Sequence, residues 1–92
     1  MAIKIEPDFA LAHYKLGIAL FHAKMTEEAI DYFKEAIRIR PDYAIAHNNL
    51  GNALFHAKMT EEAITSFKEA IRIRPGFAAA QKNLETVLLQ SE

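Results

Sequence analysis

The same twelve residues, ALFHAKMTEEAI, stand at positions 19–30 and again at 53–64. The step of 34 residues extends well beyond this phrase, because residues 7–40 and 41–74 differ at only seven positions. A period of this length is typical of repeat proteins, in which each unit packs mainly against its neighbours. The chain is therefore predicted to be a stack of like units. The seven differing pairs are Phe9/Tyr43, Leu11/Ile45, Tyr14/Asn48, Lys15/Asn49, Ile18/Asn52, Asp31/Thr65 and Tyr32/Ser66.

The step also divides the chain, which at 92 residues is one small domain. Residues 2–6 copy the end of a unit and are predicted to be the tail of a preceding helix. Residues 7–40 and 41–74 are two whole repeats, and residues 75–92 are predicted to form a C-terminal capping helix. In that last segment Glu85 stands where the repeats have Gly17 and Gly51, and a charge there is tolerable only if no second helix packs on it.

Each repeat has the pattern of two helices. Asp8 and Asp42 follow a proline and are predicted to cap the first helices through their carboxylates. Thr26 and Thr60 are predicted to cap the second helices, and two glutamates follow each, where the helix dipole favours negative charge. No strand pattern competes, so the fold class is predicted to be all-α. The second helix has one apolar face, formed in the second repeat by Ala63, Ile64, Phe67, Ala70 and Ile71.

Small residues indicate how the two helices of a repeat meet. Gly17 and Gly51 stand beside core leucines in the first helices, and Ala29 and Ala63 stand near the start of the second helices. Because small side chains let helix axes approach closely, the two helices of each repeat are predicted to pack at short distance around these positions.

The order of these residues resembles the tetratricopeptide repeat over nearly the whole chain. The resemblance implies a right-handed superhelical stack of antiparallel helix pairs. Two features depart from the family pattern. His13, His47 and Gln81 stand where a bulky aromatic is common, and Lys24 and Lys58 replace the usual glycine between the helices, at a cost of about 1–2 kcal/mol if the backbone is left-handed there. The residues that carry the resemblance are Leu16-Gly17, Leu20, Ala29, Phe33, Ala36 and Pro41, then Leu50-Gly51, Leu54, Ala63, Phe67, Ala70 and Pro75.

The resemblance also implies a function, which is to present a concave groove, lined by the first helices, to a peptide segment of a partner protein. Asn49 and Asn83 resemble the asparagine ladder of the O-linked N-acetylglucosamine transferase superhelix, since an amide can both donate to and accept from a peptide backbone. The other interpretation of these asparagines is a neutral, solvated helix face. The candidate peptide-binding residues are Leu11, Tyr14, Lys15, Ile18, Phe21, His22, Ile45, Asn48, Asn49, Asn52, Phe55, His56, Lys82, Asn83 and Thr86.

One specialised groove is disfavoured. A carboxylate clamp, as in receptors for chaperone tails, needs a lysine and an asparagine one turn apart in the first repeat. Tyr14 and Ile18 stand there instead.

Composition and spacing argue against several other classes. The net charge is −1 with a pI near 6.4, which argues against binding to nucleic acid or to an acidic membrane surface. There is no cysteine and no signal peptide, and no apolar run is long enough to cross a bilayer, so a cytoplasmic or other intracellular location is predicted.

No enzyme chemistry is predicted either. His13/His22 and His47/His56 are nine residues apart, which does not place two metal ligands on one helix face. The sequence offers neither a nucleophile–base pair nor a glycine-rich phosphate loop. A non-enzymatic protein without metal or cofactor is therefore expected.

Three of the differing pairs make the first repeat more apolar than the second. Drift between duplicated copies is one explanation. The other is an exposed apolar patch that a second copy covers, which predicts a homo-oligomer through exposed repeat ends. The alternative to a peptide-binding scaffold is accordingly a structural or engineered repeat protein that self-associates and has no natural ligand. The three pairs are Tyr14/Asn48, Ile18/Asn52 and Tyr32/Ser66.

Overall fold

A computed structural model describes residues 8–90, and within that range the chain forms α-helices and no strand. The predicted all-α fold is confirmed. Residues 2–6, predicted to be the tail of a preceding helix, lie outside the described residues, as do residues 91 and 92 of the capping segment. The helices are α1 (Phe9–His22), α2 (Thr26–Ile39), α3 (Ala44–His56), α4 (Thr60–Ile73) and α5 (Ala78–Gln90).

The helices pack in the order in which they follow one another. α1 packs on α2 and α3 on α4, forming the two helix pairs of the repeats, while α2 packs on α3 and α4 on α5 to join them. The odd-numbered helices also contact one another, α1 with α3 and α3 with α5. We call α1, α3 and α5 the first-helix layer, because each is the first helix of its unit.

A phenylalanine ring packed on a glycine joins the two helices of each repeat. Phe33 and Phe67 are 1% and 0% exposed. A Cβ atom added to Gly17 would lie 2.6 Å from Cε1 of Phe33, and one added to Gly51 would lie 2.6 Å from Cε1 of Phe67. Since real side chains do not approach so closely, glycine is required for this packing. Small residues were predicted to let the two helices approach closely, and the structure shows that the space at each glycine is used by the phenylalanine ring of the partner helix.

A lysine with a left-handed backbone conformation lies in the short connection between the two helices of each repeat. Lys24 and Lys58 both have φ of 64°. In the first repeat the Lys24 N–H donates to the Phe21 carbonyl at 3.0 Å and the Met25 N–H to the Leu20 carbonyl at 2.9 Å. This pattern is a Schellman motif, which satisfies the last carbonyls of α1. It also leads directly into the next helix, with Thr26 as its first residue.

The predicted threonine caps are therefore wrong. Met25 and Met59 occupy the cap positions of α2 and α4, and neither helix has a side-chain cap hydrogen bond. The Schellman motif accounts for this, because it uses the residue before each threonine to close the preceding helix. Thr26 and Thr60 consequently lie within the helices.

One of the two predicted aspartate caps is confirmed. Asp8 accepts a hydrogen bond from the Leu11 N–H at 3.0 Å and caps α1. The prediction for Asp42 is wrong, because Tyr43 occupies the cap position of α3 and no side chain caps that helix. The reason is a turn in which the Tyr43 N–H donates to the Arg40 carbonyl at 3.1 Å, which leaves Asp42 inside the turn.

Candidate functional site

All the residues predicted to bind a peptide lie on the first-helix layer, but they differ in how much of the side chain is accessible. Tyr14 and Asn48 are buried, at 9% and 6% exposed. Ile18, Phe21, Asn49, Asn52, Phe55 and Asn83 are half-buried. The side chains on the surface are Leu11, Lys15, His22, Ile45, His56, Lys82 and Thr86.

Hydrogen bonds between side chains connect neighbouring members of the layer. Asn49 on α3 donates through Nδ2 to the Tyr14 hydroxyl on α1 at 2.9 Å. Asn83 on α5 donates through Nδ2 to Oδ1 of Asn48 on α3 at 3.0 Å. We call the α1–α3 contact the first junction and the α3–α5 contact the second junction. Asn49 and Asn83 thus have a structural role, bridging repeats with their NH₂ groups.

The tyrosine of the first junction is packed between aromatic rings. The centroid of the Tyr14 ring lies 5.3 Å from that of Tyr43 and 6.1 Å from that of Phe33. Burial, followed by the neighbouring Tyr43 phenol, raises the pKa of Tyr14 above its ordinary value, while the Asn49 hydrogen bond opposes the shift. Tyr14 therefore stays neutral, and its hydroxyl accepts from Asn49.

An aromatic contact closes the other end of the first junction. The ring of Phe21 on α1 meets the ring of His56 on α3 edge-on, with the centroids 5.1 Å apart. Between this contact and the Tyr14–Asn49 bridge lies a pocket of about 340 Å³. We call it the junction pocket, and its lining is Ile18, Phe21, His22, Phe33, Asn49 and Asn52.

Charged and aromatic groups also meet where one repeat follows another. Arg40 forms an ion pair with the Asp8 carboxylate at 2.5 Å, and its guanidinium carbon lies 4.7 Å from the centre of the Tyr43 ring. Arg74 lies over Phe77 in the same way, at 5.0 Å. The backbone N–H of Leu11 and then the Arg40 side chain hold the pKa of Asp8 below its usual value. These groups join the units at the edge of the layer.

Sequence reasoning missed the role of the position where His13, His47 and Gln81 stand. Nε2 of His47 lies 2.9 Å from the Pro41 carbonyl oxygen, and Nε2 of Gln81 lies 2.6 Å from the Pro75 carbonyl oxygen. Because a carbonyl can only accept, both side chains donate. A signal was present in the sequence, since both residues are N–H donors six positions after a proline. His13 stacks on Tyr32 instead, with ring centroids 5.7 Å apart.

The expected apolar patch of the first repeat is not where it was predicted. Tyr14 is buried by its aromatic neighbours, and Ile18 and Tyr32 are half-buried. The large apolar side chains that α1 does expose are Phe9, Leu16 and Leu11, at 60%, 48% and 37%.

Phe9, Ala12, Leu16 and Ala19 follow one another along one exposed side of α1, and we call them the α1 stripe. Their equivalents in α3 are Tyr43, Ala46, Leu50 and Ala53, of which the last three are buried, in the helix on which α2 packs. The α1 stripe therefore lacks, within residues 8–90, the helix that covers the matching face of α3.

In the part of the chain that the structure describes, no group of three His, Cys, Asp or Glu side chains is placed so that it could bind one metal ion. None of the helices between residues 8 and 90 has the length and apolar character needed to cross a membrane.

Among solved structures, the chain is similar to MamA, with a TM-score of 0.88 and 29% sequence identity over 92% of this chain. The match covers 50% of MamA, so the chain spans half the length of that protein. The TPR2B domain of yeast Sti1, solved in a complex with pHsp70, matches with a TM-score of 0.89, 24% identity and coverage of 92% of this chain and 68% of that one.

A third similar structure is the first TPR of Spaghetti (RPAP3), solved bound to the HSP90 peptide SRMEEVD. It has a TM-score of 0.85 and 20% identity over 94% of this chain and 68% of that one. These likenesses confirm the predicted solenoid of helix pairs. No curated protein matches the sequence significantly. The tetratricopeptide repeat family model, however, matches residues 8–76. With this match, the paired helices and their glycine–phenylalanine packing, the chain belongs to the tetratricopeptide repeat family.

Proposed function

We propose that the chain is a non-enzymatic scaffold that binds a peptide segment of a partner protein along its first-helix layer. The observation that carries the proposal is the layer itself, where exposed and half-buried side chains run across α1, α3 and α5 and surround an open pocket at the first junction. Two similar structures, those of Spaghetti and Sti1, were solved with an HSP90 peptide and with pHsp70, which supports a peptide as the ligand.

The electrostatics of the candidate residues favour an acidic or neutral peptide. Among them, Lys15 and Lys82 are cationic and exposed, and none carries a carboxylate. Asn49 and Asn83 use their NH₂ groups within the protein, while their carbonyl oxygens are the groups left to accept from a peptide N–H.

The test is binding to a peptide array, followed by titration of the best peptide. Reversing both groove charges, Lys15→Glu with Lys82→Glu, should weaken binding at low salt about tenfold or more, because opposite charges then become like charges. The matched control is Lys34→Glu with Lys68→Glu, which makes the same charge change at exposed lysines of α2 and α4. Equal losses in both variants, or no selected peptide at all, would remove the proposal.

The asparagines need a separate variant, because they also bridge the repeats. Asn49→Ala with Asn83→Ala should abolish peptide selection, but it also removes two hydrogen bonds worth about 1 kcal/mol each. The binding measurement is therefore made at a temperature where circular dichroism shows the variant to be folded. Unchanged selection by the folded variant would assign these residues to the stack alone.

The α1 stripe favours a second candidate function, self-association. The equivalent residues in α3 are covered by a helix of the same chain. The four residues of the α1 stripe are three, four and three positions apart, a spacing that lets them pack against a helix of a second copy. Light scattering from micromolar to near-millimolar concentration should then show a rising mass. Leu16→Lys should abolish the rise, whereas Leu89→Lys, on the exposed α5 side chain, should not. A constant monomer mass removes this candidate.

A further inference from the structure

We infer that the junction pocket is a specific anchor site for one bulky apolar side chain, of the leucine or phenylalanine class, within an acidic peptide. The inference rests on the proposed peptide-binding function and adds the position and the chemistry of the anchor. It follows from the way in which the first junction differs from the second.

The lining of the pocket is suited to an apolar side chain. Ile18 and Phe21 of α1 line one side, and the fully buried ring of Phe33 lies at its base. Burying a leucine-sized group against such surfaces is favourable, because it removes apolar area from water. The lining therefore favours an apolar side chain as the occupant of the pocket.

The pocket is closed at its ends by contacts that keep α1 and α3 apart at a fixed spacing. Asn49 donates to Tyr14 at one end, and Phe21 meets His56 at the other. Both pairs are 35 residues apart in the sequence, one more than the repeat length. The cleft between them is therefore set by the register of the two helices and does not have to be opened by a ligand.

The polar rim of the pocket can hold the backbone on either side of the anchor. Asn49 and Asn52 come from α3 and His22 from α1. The Nδ2 group of Asn49 is engaged with Tyr14, so its Oδ1 atom is the part suited to a peptide N–H. The exposed Lys15 lies three residues before Ile18 on α1, about one helical turn away on the same side, which favours acidic residues beside the anchor.

The second junction keeps the equivalents of Phe21 and Phe33, which are Phe55 and Phe67, but it lacks the isoleucine and the ring contact that closes the pocket. In the repeat frame, Ile18 is replaced there by Asn52, and Asn52 by Thr86. The register of 35 residues pairs Phe55 with Gln90, which has no ring to meet it. The bridge is formed by two amides, Asn48 and Asn83. An apolar anchor is consequently specified at one junction and not at both.

The experiment uses short blocked peptides with glutamate on either side of one varied position, which is leucine, phenylalanine, alanine or asparagine. Binding to the full chain is followed by NMR through the side-chain amide signal of Asn49 for the first junction and that of Asn83 for the second. The leucine or phenylalanine peptide should bind about tenfold more tightly than the alanine peptide. Its shifts should be larger at Asn49 than at Asn83.

Variants taken from the chain's own repeats locate the site. Ile18→Asn installs the residue that the second repeat has. It should reduce the affinity for the leucine peptide to the affinity for the alanine peptide. The matched control is Asp31→Thr, an equivalent exchange at an exposed position of α2, which should change nothing. Ile18→Ala enlarges the pocket while keeping it apolar, and should move the preference from leucine to phenylalanine. Circular dichroism confirms that each variant is folded.

The outcomes separate the anchor from the function on which it rests. If the peptides bind but affinity does not depend on the varied residue, or Ile18→Asn has no effect, the anchor is wrong and the proposed groove stands. Equal shifts at Asn83 would also overturn the anchor, because it belongs to one junction. If no peptide shifts either asparagine signal, both the anchor and the acidic-peptide groove are overturned.

Discussion

The two junctions of the first-helix layer share one register but differ in chemistry. At the first junction Tyr14 accepts from Asn49, and the Tyr14 ring packs against Phe33 and Tyr43. At the second junction Asn48 accepts from Asn83 at nearly the same distance. Both bridges join residues 35 positions apart. A ring and an amide can thus occupy the same structural position, provided that each offers an oxygen to the next repeat.

The difference shows which parts of a repeat must stay alike. Of the seven differing pairs, five belong to the first helices and two to the second helices. The five include Phe9/Tyr43, in which Tyr43 is the cap residue of α3. The glycine–phenylalanine packing within each helix pair is the same in both repeats. The fold thus depends on the interior of the pair, while the face of the layer is free to change. That freedom lets one junction differ from the next in what it can bind.

The largest expected effect comes from removing the acceptor at each junction. Tyr14→Ala should lower the free energy of unfolding by about 3 kcal/mol, because it empties the space of a buried ring as well as breaking the bridge. Asn48→Ala should lower it by about 1 kcal/mol, chiefly through the lost hydrogen bond. Urea unfolding followed by circular dichroism measures both.

The control for this pair is Tyr14→Phe, which keeps the ring and removes only the hydroxyl. It should cost about 1 kcal/mol, close to the value for Asn48→Ala. If Tyr14→Ala and Asn48→Ala were equally destabilising, the aromatic packing of the first junction would contribute nothing, and the comparison between the junctions would fail.

Much of the fold could be predicted from the sequence, because its main determinants are local and repeated. The step of 34 predicts the helix pairs, and Gly17 and Gly51 predict their close approach. Lys24 and Lys58 stand where a glycine is usual, and the structure gives both residues the left-handed backbone that a glycine would favour. These features depend on positions within one repeat, which the sequence displays directly.

What could not be predicted depends on how one repeat meets the next. Asp8 and Asp42 lie in nearly the same local sequence, yet only Asp8 caps a helix, since a turn at Arg40–Tyr43 places Asp42 elsewhere. Tyr14 was expected on an open patch and is buried by Tyr43 of the following repeat. Nor does the repeat length of 34 indicate that bridges join residues 35 apart, because that offset arises from the packing of the helices.

A smaller effect tests whether the interiors of the two pairs are equivalent. Gly17→Ala and Gly51→Ala should each lower the free energy of unfolding by about 1–3 kcal/mol, because the added Cβ meets the ring of Phe33 or Phe67. The two values should agree with each other, in contrast to those at the junctions. Gly76→Ala is the control, because no atom lies within 4 Å of its Cβ position. A clear difference between the first two variants would show that the pairs are not alike inside.

Replacing the left-handed lysines by glycine should raise the free energy of unfolding, and by a smaller amount. Lys24→Gly and Lys58→Gly relieve a φ of 64° and should each stabilise by up to about 1 kcal/mol, with part of the gain offset by the greater freedom of glycine in the unfolded chain. Thermal unfolding of the single and double variants checks this, and the two effects should add. Destabilisation by either variant would mean that the lysine side chain has a role that outweighs the backbone strain.

The smallest effect distinguishes the two aspartates by pH. The Leu11 N–H, followed by Arg40, lowers the pKa of Asp8 in the folded state, so the carboxylate stabilises the fold above its ordinary pKa. This contribution is lost as the pH falls through the folded-state pKa, which lies below the ordinary pKa of an aspartate. Asp8→Asn should therefore flatten the dependence of unfolding free energy on pH in this acidic range. The matched control is Asp42→Asn, at the equivalent residue of the second repeat, which caps no helix. Equal flattening by both variants would show that the two repeat starts are held in the same way, against the difference seen between them.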